Sequence, residues 1–330
     1  MTTLFSRLKR VLKGYVARHD ALILAYHSVV SEPLPFSIPQ HLDRERFEWQ
    51  IGYLARHFRC VPLSTLVREL REGRVGKYTV VVTFDDGFRN NFLTAFPILK
   101  HYGIPATIFV ATRYIGGRSL VWPEALACIL TLAKGRVVHI DGQAYPLTTP
   151  AEMTRAYKVC TRRFKALRLE AIEAEIQLLR EQLHITPQDV EGAPVYPHFR
   201  LLDWSDINQM LGSSLVEIGS HTVTHRRLSH LSPGEALREL RDSKDCIERH
   251  TGAASHLAYP FGGRPGDFSD AHMAMAKACG YEAAVACSPG PVVPGSEIYA
   301  LPRVSINANT GKEAFRYLVH GGVSFQHKAR

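Results

Sequence analysis

Short apolar runs rich in β-branched residues alternate along the chain with segments of helical periodicity. This alternation is typical of strand–helix units around a mostly parallel sheet. The predicted strands are ALILAY (21–26), TVVVTF (79–84), ATIFV (106–110), SLVEIG (214–219), SHLAY (255–259) and EAAVA (282–286). Helices are predicted over residues 43–58 and 233–250, the second beginning with the capping-box spacing of Ser232 and Glu235. We therefore expect an α/β fold whose strands form a barrel.

One stretch, residues 118–200, departs from this alternation of strands and helices. Its apolar residues recur at three- and four-residue steps, which predicts a helical insertion. The stripe consists of Met153, Tyr157, Cys160, Phe164, Leu167, Ile172, Ile176, Leu179 and Leu183. The outward face is basic, so it either is solvated or covers the site and meets an anionic partner.

The first 19 residues combine helically spaced apolar residues with basic residues and no acid. This pattern predicts a basic amphipathic helix, followed by a single domain over residues 20–330. Two alternatives remain for the helix. It either packs on the domain or makes a peripheral contact with an anionic membrane.

Composition limits the classes of protein to which this chain can belong. The chain has 330 residues, 45% of them hydrophobic, which is enough to bury a full core. It contains no apolar run long enough to span a membrane and no continuous apolar secretory signal at its start. We expect a cytoplasmic protein, with the inner membrane surface as a peripheral location. A net charge of +9 favours anionic surfaces or substrates, but no nucleic-acid motif is present and no nucleic acid is expected as partner.

The sharpest chemical signal is Thr83-Phe84-Asp85-Asp86-Gly87, directly after an apolar strand. In parallel α/β folds, active sites form at the carboxyl ends of strands. Two adjacent carboxylates repel each other there unless a cation or a proton is shared between them. An ordinary Asp-Gly turn is the alternative interpretation.

A second signal, His221-Thr-Val-Thr-His225, also follows a predicted strand. Two imidazoles four positions apart can bind one metal ion, and together with a carboxylate they give the three-ligand set of a catalytic zinc site. A third strand, in the segment 256–263, leads into a Pro/Gly-rich turn that can direct a backbone N–H at a developing oxyanion.

Together these segments resemble the polysaccharide deacetylase family, also called carbohydrate esterase family four, whose members share a chitooligosaccharide-deacetylase homology domain. The resemblance spans most of residues 21–306 and implies a distorted (β/α) barrel of about seven strands with a helical insertion. TFDDG matches the motif that contains the general base, here Asp85, and a metal ligand, here Asp86. HTVTH supplies His221 and His225 as the other ligands, so the implied cofactor is a divalent metal, most simply Zn²⁺.

The remaining site residues follow from a variant of the family's third motif, AYPFG. It implies that the Phe261 N–H holds the oxyanion and that Tyr259 and Pro260 contact substrate. The family's arginine that orients the catalytic aspartate is replaced by Ala258, and Arg303 is the candidate substitute. The general-acid histidine also has no clean match, and His27 is the better candidate than His320.

The implied reaction is removal of an acetyl group from an N-acetylated sugar of a bacterial exopolysaccharide, capsule or lipid-linked saccharide, rather than of chitin. Two alternatives stay open. The chain could hydrolyse another amide or an O-acetyl ester on the same fold, or bind carbohydrate without catalysis.

Overall fold

The computed structural model describes residues 21–320. In chain order the strands of this part are β1 (Ala21–Tyr26), β2 (Ser28–Val30), β3 (His41–Asp43), β4 (Arg59–Cys60), β5 (Thr79–Phe84), β6 (Ala106–Val110), β7 (Val137–Ile140), β8 (Gln143–Pro146), β9 (Val216–Ser220), β10 (His256–Ala258), β11 (Ala283–Val285) and β12 (Val304–Ser305). The predicted N-terminal helix, residues 1–19, lies outside the described residues.

Eight of these strands form one parallel sheet in the order β11-β10-β9-β6-β5-β1-β12, with β4 pairing β5 beside this path. The two ends of the sheet approach each other through residues 301–304. Leu301 bridges to Val285 of β11, and Val304 pairs with Leu24 of β1. The sheet is therefore a distorted barrel, which confirms the predicted fold class.

The helices lie around this barrel and connect its strands. In chain order they are α1 (Arg44–His57), α2 (Leu63–Arg71), α3 (Phe96–Tyr102), α4 (Trp122–Leu132), α5 (Pro150–Phe164), α6 (Leu169–Gln182), α7 (Pro187–Glu191), α8 (Tyr196–Phe199), α9 (Trp204–Leu211), α10 (Pro233–Thr251), α11 (Asp270–Ala278) and α12 (Lys312–Val319). Within residues 21–320, every helix is too short or too polar to cross a membrane.

The barrel interior is filled by side chains from alternate strand positions, because successive strand residues point to opposite faces. Ile23, Val81, Phe109 and Val285 belong to this buried cluster. The Phe109 ring fits only because β9 has glycine opposite it: a Cβ at Gly219 would lie 2.5 Å from the Phe109 ring. The apolar core therefore closes the barrel below the carboxyl ends of the strands.

The helical insertion leaves the barrel between β6 and β9 and contains α4 to α8. It builds its own core, in which Trp122, Tyr157, Phe164 and Phe199 are buried. An antiparallel hairpin, β7 with β8, interrupts the helices and was not predicted from the sequence. Because part of this core packs against the carboxyl-end rim, the insertion becomes a neighbour of the chemical site.

Candidate active site

The carboxyl ends of β5 and β9 bring the two sharpest sequence motifs together. Asp85 continues the β5–β1 pairing, since its N–H donates to Tyr26 at 2.9 Å, and Asp86 turns away with φ +70°. Gly87 then lies so close to β6 that a Cβ there would sit 2.9 Å from Val110. The Asp-Asp-Gly sequence thus makes a tight turn that places both carboxylates at the barrel rim.

Asp86, His221 and His225 converge at this rim, with ligand atoms that all lie within 4.8 Å of one another. His221 Nδ1 lies 2.7 Å from the Ala258 carbonyl oxygen, so this nitrogen carries the proton and Nε2 offers its lone pair. The buried Oδ1 of Asp86 has no hydrogen-bond partner among the described residues. A carboxylate and two imidazoles around an unpartnered buried oxygen fit a divalent metal such as zinc.

The protonation states of His221 and Asp86 agree with a metal site. Burial lowers the pKa of His221 to about 4, so its imidazole is neutral near pH 7, the form that binds metals. For Asp86, burial raises the pKa, but the nearby histidines, first His225 and then His27 and His221, together outweigh burial and lower the pKa. For His225, burial lowers the pKa, but the nearby carboxylates, Asp86 first, together outweigh burial and raise it, so a metal ion has to displace a proton from this imidazole.

Backbone strain is concentrated at this rim. Eight non-glycine residues with positive φ occur in the described part of the chain, and four of them are Asp86, Thr222, His225 and Phe261. Such conformations persist only where surrounding contacts enforce them, and they cluster at functional sites. The loops that carry the candidate ligands are therefore held in place by their neighbours.

Asp85 forms a buried, bidentate ion pair with Arg303. The Nη1–Oδ1 distance is 2.7 Å, the Nη2–Oδ2 distance is 2.8 Å, and the guanidinium is fully buried. Arg303 also donates to the Ala286 carbonyl and the Thr83 hydroxyl, both at 3.1 Å. Burial raises the pKa of Asp85, but the charge and hydrogen bonds of Arg303, together with the charges of His221 and His27, outweigh burial and hold the pKa below its usual value. Asp85 is therefore ionised, and its two oxygens are fixed in orientation.

His27 follows β1 directly and lies among the carboxylates of the rim. Its charge contributes to lowering the pKa of both Asp85 and Asp86. Its Nδ1 is buried without a hydrogen-bond partner among the described residues, and its carbonyl accepts from Asn91 Nδ2 at 2.7 Å. His320, by contrast, packs against Phe58 and lies 2.8 Å from the Tyr53 hydroxyl, in the outer helical layer.

The turn after β10 brings Phe261 to the site. The Phe261 ring centroid lies 5.2 Å from that of His225, and within residues 21–320 its N–H donates no hydrogen bond. The expectation for the Tyr259 side chain is corrected. Tyr259 is fully buried, stacks on Phe268 with ring centroids 3.9 Å apart, and donates to the Tyr299 carbonyl at 3.0 Å. The Tyr259 ring packs in the core instead of facing the site, because burial of an aromatic ring is favourable. Pro260 is buried, and its role stays a prediction.

A cavity of about 210 Å³ opens beside His225, between the barrel and the insertion. Its barrel wall includes Phe261 and Leu231, and its insertion wall includes Trp122, Phe164 and Ile172. The insertion therefore forms one side of the candidate active site.

Sequence reasoning missed a buried carboxyl group on the insertion, Glu124. Its Oε1 lies 3.5 Å from Nε2 of His41, whose Nδ1 is 2.7 Å from the Ser28 hydroxyl. Burial, and then the charge of Asp86, raises the pKa of Glu124 to about 8, whereas burial lowers the pKa of His41 to about 3. Near pH 7 this pair is thus predominantly uncharged. In the sequence, an acid just after Pro123 only indicates the first turn of a helix.

We expect Glu124 to make stability depend on pH. A folded-state pKa above the unfolded value means that its stabilising contribution is complete below about pH 4.5 and is lost as pH rises through about 8. The neutral isostere Glu124→Gln removes this loss. In metal-free protein, the free energy of unfolding of Glu124→Gln relative to wild type should therefore increase between pH 5 and pH 8, measured by urea titration. A difference that stays constant with pH would contradict the raised pKa.

With this geometry established, comparison with known proteins identifies the family. The family model described as polysaccharide deacetylase matches residues 72–284, about two thirds of the chain. The chain belongs to the polysaccharide deacetylase family. Membership classes it as a carbohydrate deacetylase hydrolase.

Relatives and solved structures of polysaccharide deacetylases extend the match. A poly-beta-1,6-N-acetyl-D-glucosamine N-deacetylase of Staphylococcus epidermidis is 36% identical over 111 residues, which cover 30% of this chain and 38% of that protein. The deacetylase PplD of Streptococcus pyogenes, solved in complex with acetate, superposes with a TM-score of 0.60 at 18% identity, covering 92% of this chain and 99% of that chain. IcaB from Ammonifex degensii gives a TM-score of 0.59 at 18% identity over 91% and 97% of the two chains. The two structures show a shared fold.

Proposed function

We propose that this polysaccharide deacetylase is metal-dependent and removes acetyl groups from N-acetylated sugars of a bacterial glycan. The observation that carries the proposal is the convergence of Asp86, His221 and His225 beside a second carboxylate, Asp85, which Arg303 keeps ionised. Three ligands next to an ionised carboxylate that can act as base are the elements that metal-assisted amide hydrolysis requires.

Each residue at the rim has a distinct task in this proposal. Zn²⁺ or another divalent cation held by Asp86, His221 and His225 would polarise the acetyl carbonyl and acidify a water molecule. Asp85 accepts the proton of the attacking water. The Phe261 N–H, which has no partner within residues 21–320, donates to the oxyanion, and His27 protonates the departing amine. The C–N bond breaks and acetate leaves.

The relatives and the cavity support the proposed substrate class. The staphylococcal relative is named for poly-beta-1,6-N-acetyl-D-glucosamine, so oligosaccharides of that linkage are the first substrates to test. The cavity beside His225 is lined by aromatic and apolar side chains, which suit the faces of sugar rings, and also by charged side chains such as Arg226 and Glu235. The basic segment 1–19 favours one kind of substrate, a lipid-linked saccharide in the cytoplasm at the inner membrane surface.

The deciding experiment measures acetate release from a panel of N-acetylated and O-acetylated saccharides by Zn²⁺-loaded protein. We expect acetate from N-acetylated sugars, and we expect its loss both on chelation and in an Asp86→Ala/His221→Ala variant whose metal content is quantified. Release from esters alone would favour the O-acetyl alternative. Saccharide binding by metal-loaded protein without any acetate would overturn the proposal in favour of a binding domain.

A further inference from the structure

The loop that carries the two histidine ligands, residues 221–225, is held on both sides; we call it the metal loop. On one side its carbonyl groups accept hydrogen bonds from the segment after β6. Thr112 N–H donates to Thr222 at 3.1 Å, and Arg113 N–H donates to Val223 at 2.9 Å. These bonds attach the loop to the barrel but leave its own N–H groups to be satisfied elsewhere.

On the other side, two N–H groups of the metal loop, those of Val223 and Thr224, converge on one carboxylate, that of Glu239 in α10. Oε2 accepts from the Val223 N–H at 2.9 Å and from the Thr224 N–H at 2.8 Å. Oε1 accepts from the Thr224 hydroxyl at 2.5 Å and from Arg226 Nη2 at 3.1 Å. Glu239 is only 4% exposed, so these bonds are sheltered from water. A carboxylate with this number of donors forms strong, charge-assisted hydrogen bonds.

The position of these bonds matters because the metal loop is strained. Thr222 and His225 both have positive φ, which is uncommon for residues other than glycine and most unfavourable for a β-branched residue such as Thr222. The Glu239 bonds fall on the two residues between Thr222 and His225. Without them, the loop would be free to relax its strain, and the His225 imidazole would lose its fixed position beside Asp86.

From these contacts we infer that Glu239 is the positioning residue of the metal site. It binds no metal itself but fixes the backbone that presents His225. Arg226 extends the same unit, because it contacts Glu239 and also Glu170 in the insertion, at 3.5 Å. The metal loop, α10 and the insertion thus meet at one buried carboxylate. This inference rests on the proposed metal site.

Zn²⁺ affinity, measured by competition with a chromogenic chelator, tests the inference without reference to activity. We expect Glu239→Ala to bind Zn²⁺ about 10–100-fold more weakly than wild type, the range seen when groups that orient ligands are removed. Glu239→Gln keeps one acceptor oxygen and should fall between the two. Glu69→Gln is the matched control. Glu69 is also buried and bound to an arginine, Arg59, but lies on α2 away from the metal loop.

Thr224→Val is a milder second variant, useful if Glu239→Ala does not fold. It removes one donor to Glu239 and should weaken Zn²⁺ binding about 2–10-fold, as expected for a single hydrogen bond. Combined with Glu239→Gln, its effect should shrink, because both changes act on the same oxygen atoms.

The outcomes distinguish a failure of the proposed metal site from a failure of the role inferred for Glu239. Wild-type protein that binds no Zn²⁺ would remove the proposed metal site itself. Wild-type binding with unchanged affinity in Glu239→Gln and Thr224→Val, or an equal loss in Glu69→Gln, would overturn only the role of Glu239.

Discussion

Asp85→Asn should lower kcat by about 100- to 10,000-fold while Zn²⁺ stays bound, because general-base catalysis contributes rate factors of that order. Asparagine has the shape of aspartate but cannot accept the proton of water. The three candidate ligands, Asp86, His221 and His225, are untouched. The measurement is acetate release at saturating substrate, with metal content determined on the same sample.

The control for Asp85→Asn is a second buried carboxylate paired with an arginine. Asp206 is buried and lies 2.9 Å from Arg89, outside the metal cluster. Asp206→Asn should lose stability but retain most of kcat. If Asp85→Asn turned over at close to the wild-type rate with metal bound, Asp85 would not be the base.

Arg303→Met should destabilise the protein by about 3–5 kcal/mol, the usual cost of removing one partner of a buried ion pair. Methionine fills part of the arginine volume, but the Asp85 carboxylate would remain buried without its partner. Without Arg303 the pKa of Asp85 must rise, since burial raises it and its largest opposing charge is gone. Two measurements follow. Urea unfolding at pH 7 gives the loss of stability, and the acid limb of kcat/KM should move to higher pH.

The pH dependence of stability has a definite sign. In wild type the lowered pKa of Asp85 contributes stability that is present above the unfolded value of about 3.8 and is lost as pH falls through the folded pKa. Arg303→Met should lack this contribution. In Asp85→Asn/Arg303→Met neither charge remains, so part of the stability should return. If Arg303→Met were as stable as wild type at pH 7, the ion pair would not be required for the fold.

The three most apolar strands were predictable to the residue. The runs 21–26, 79–84 and 106–110 are identical to β1, β5 and β6, because buried parallel strands are continuous apolar segments with sharp polar ends. The shorter strands β9, β10 and β11 were predicted within two residues of their bounds. The last barrel strand, β12, was not predicted, since two residues carry too little pattern.

The sequence by itself determined the barrel, the insertion and the four residues Asp85, Asp86, His221 and His225 as chemical candidates. It could do so because strand ends and short motifs are local features. The tertiary structure decided which distant side chains meet them. It pairs Asp85 with Arg303, 218 positions away, which the sequence had offered only as a candidate, and it brings in Glu124 from the insertion, which the sequence had not indicated.

Tertiary structure also decided which candidates were excluded or added. Tyr259 turned into the core, and Glu239 came to bind the metal loop from a helix whose sequence shows only amphipathic periodicity. Burial and ion pairing depend on three-dimensional proximity, which residue spacing does not encode. The reactive residue types of the site are therefore encoded in short sequence motifs, whereas the orientation of their side chains and the balance of charges around them arise from packing.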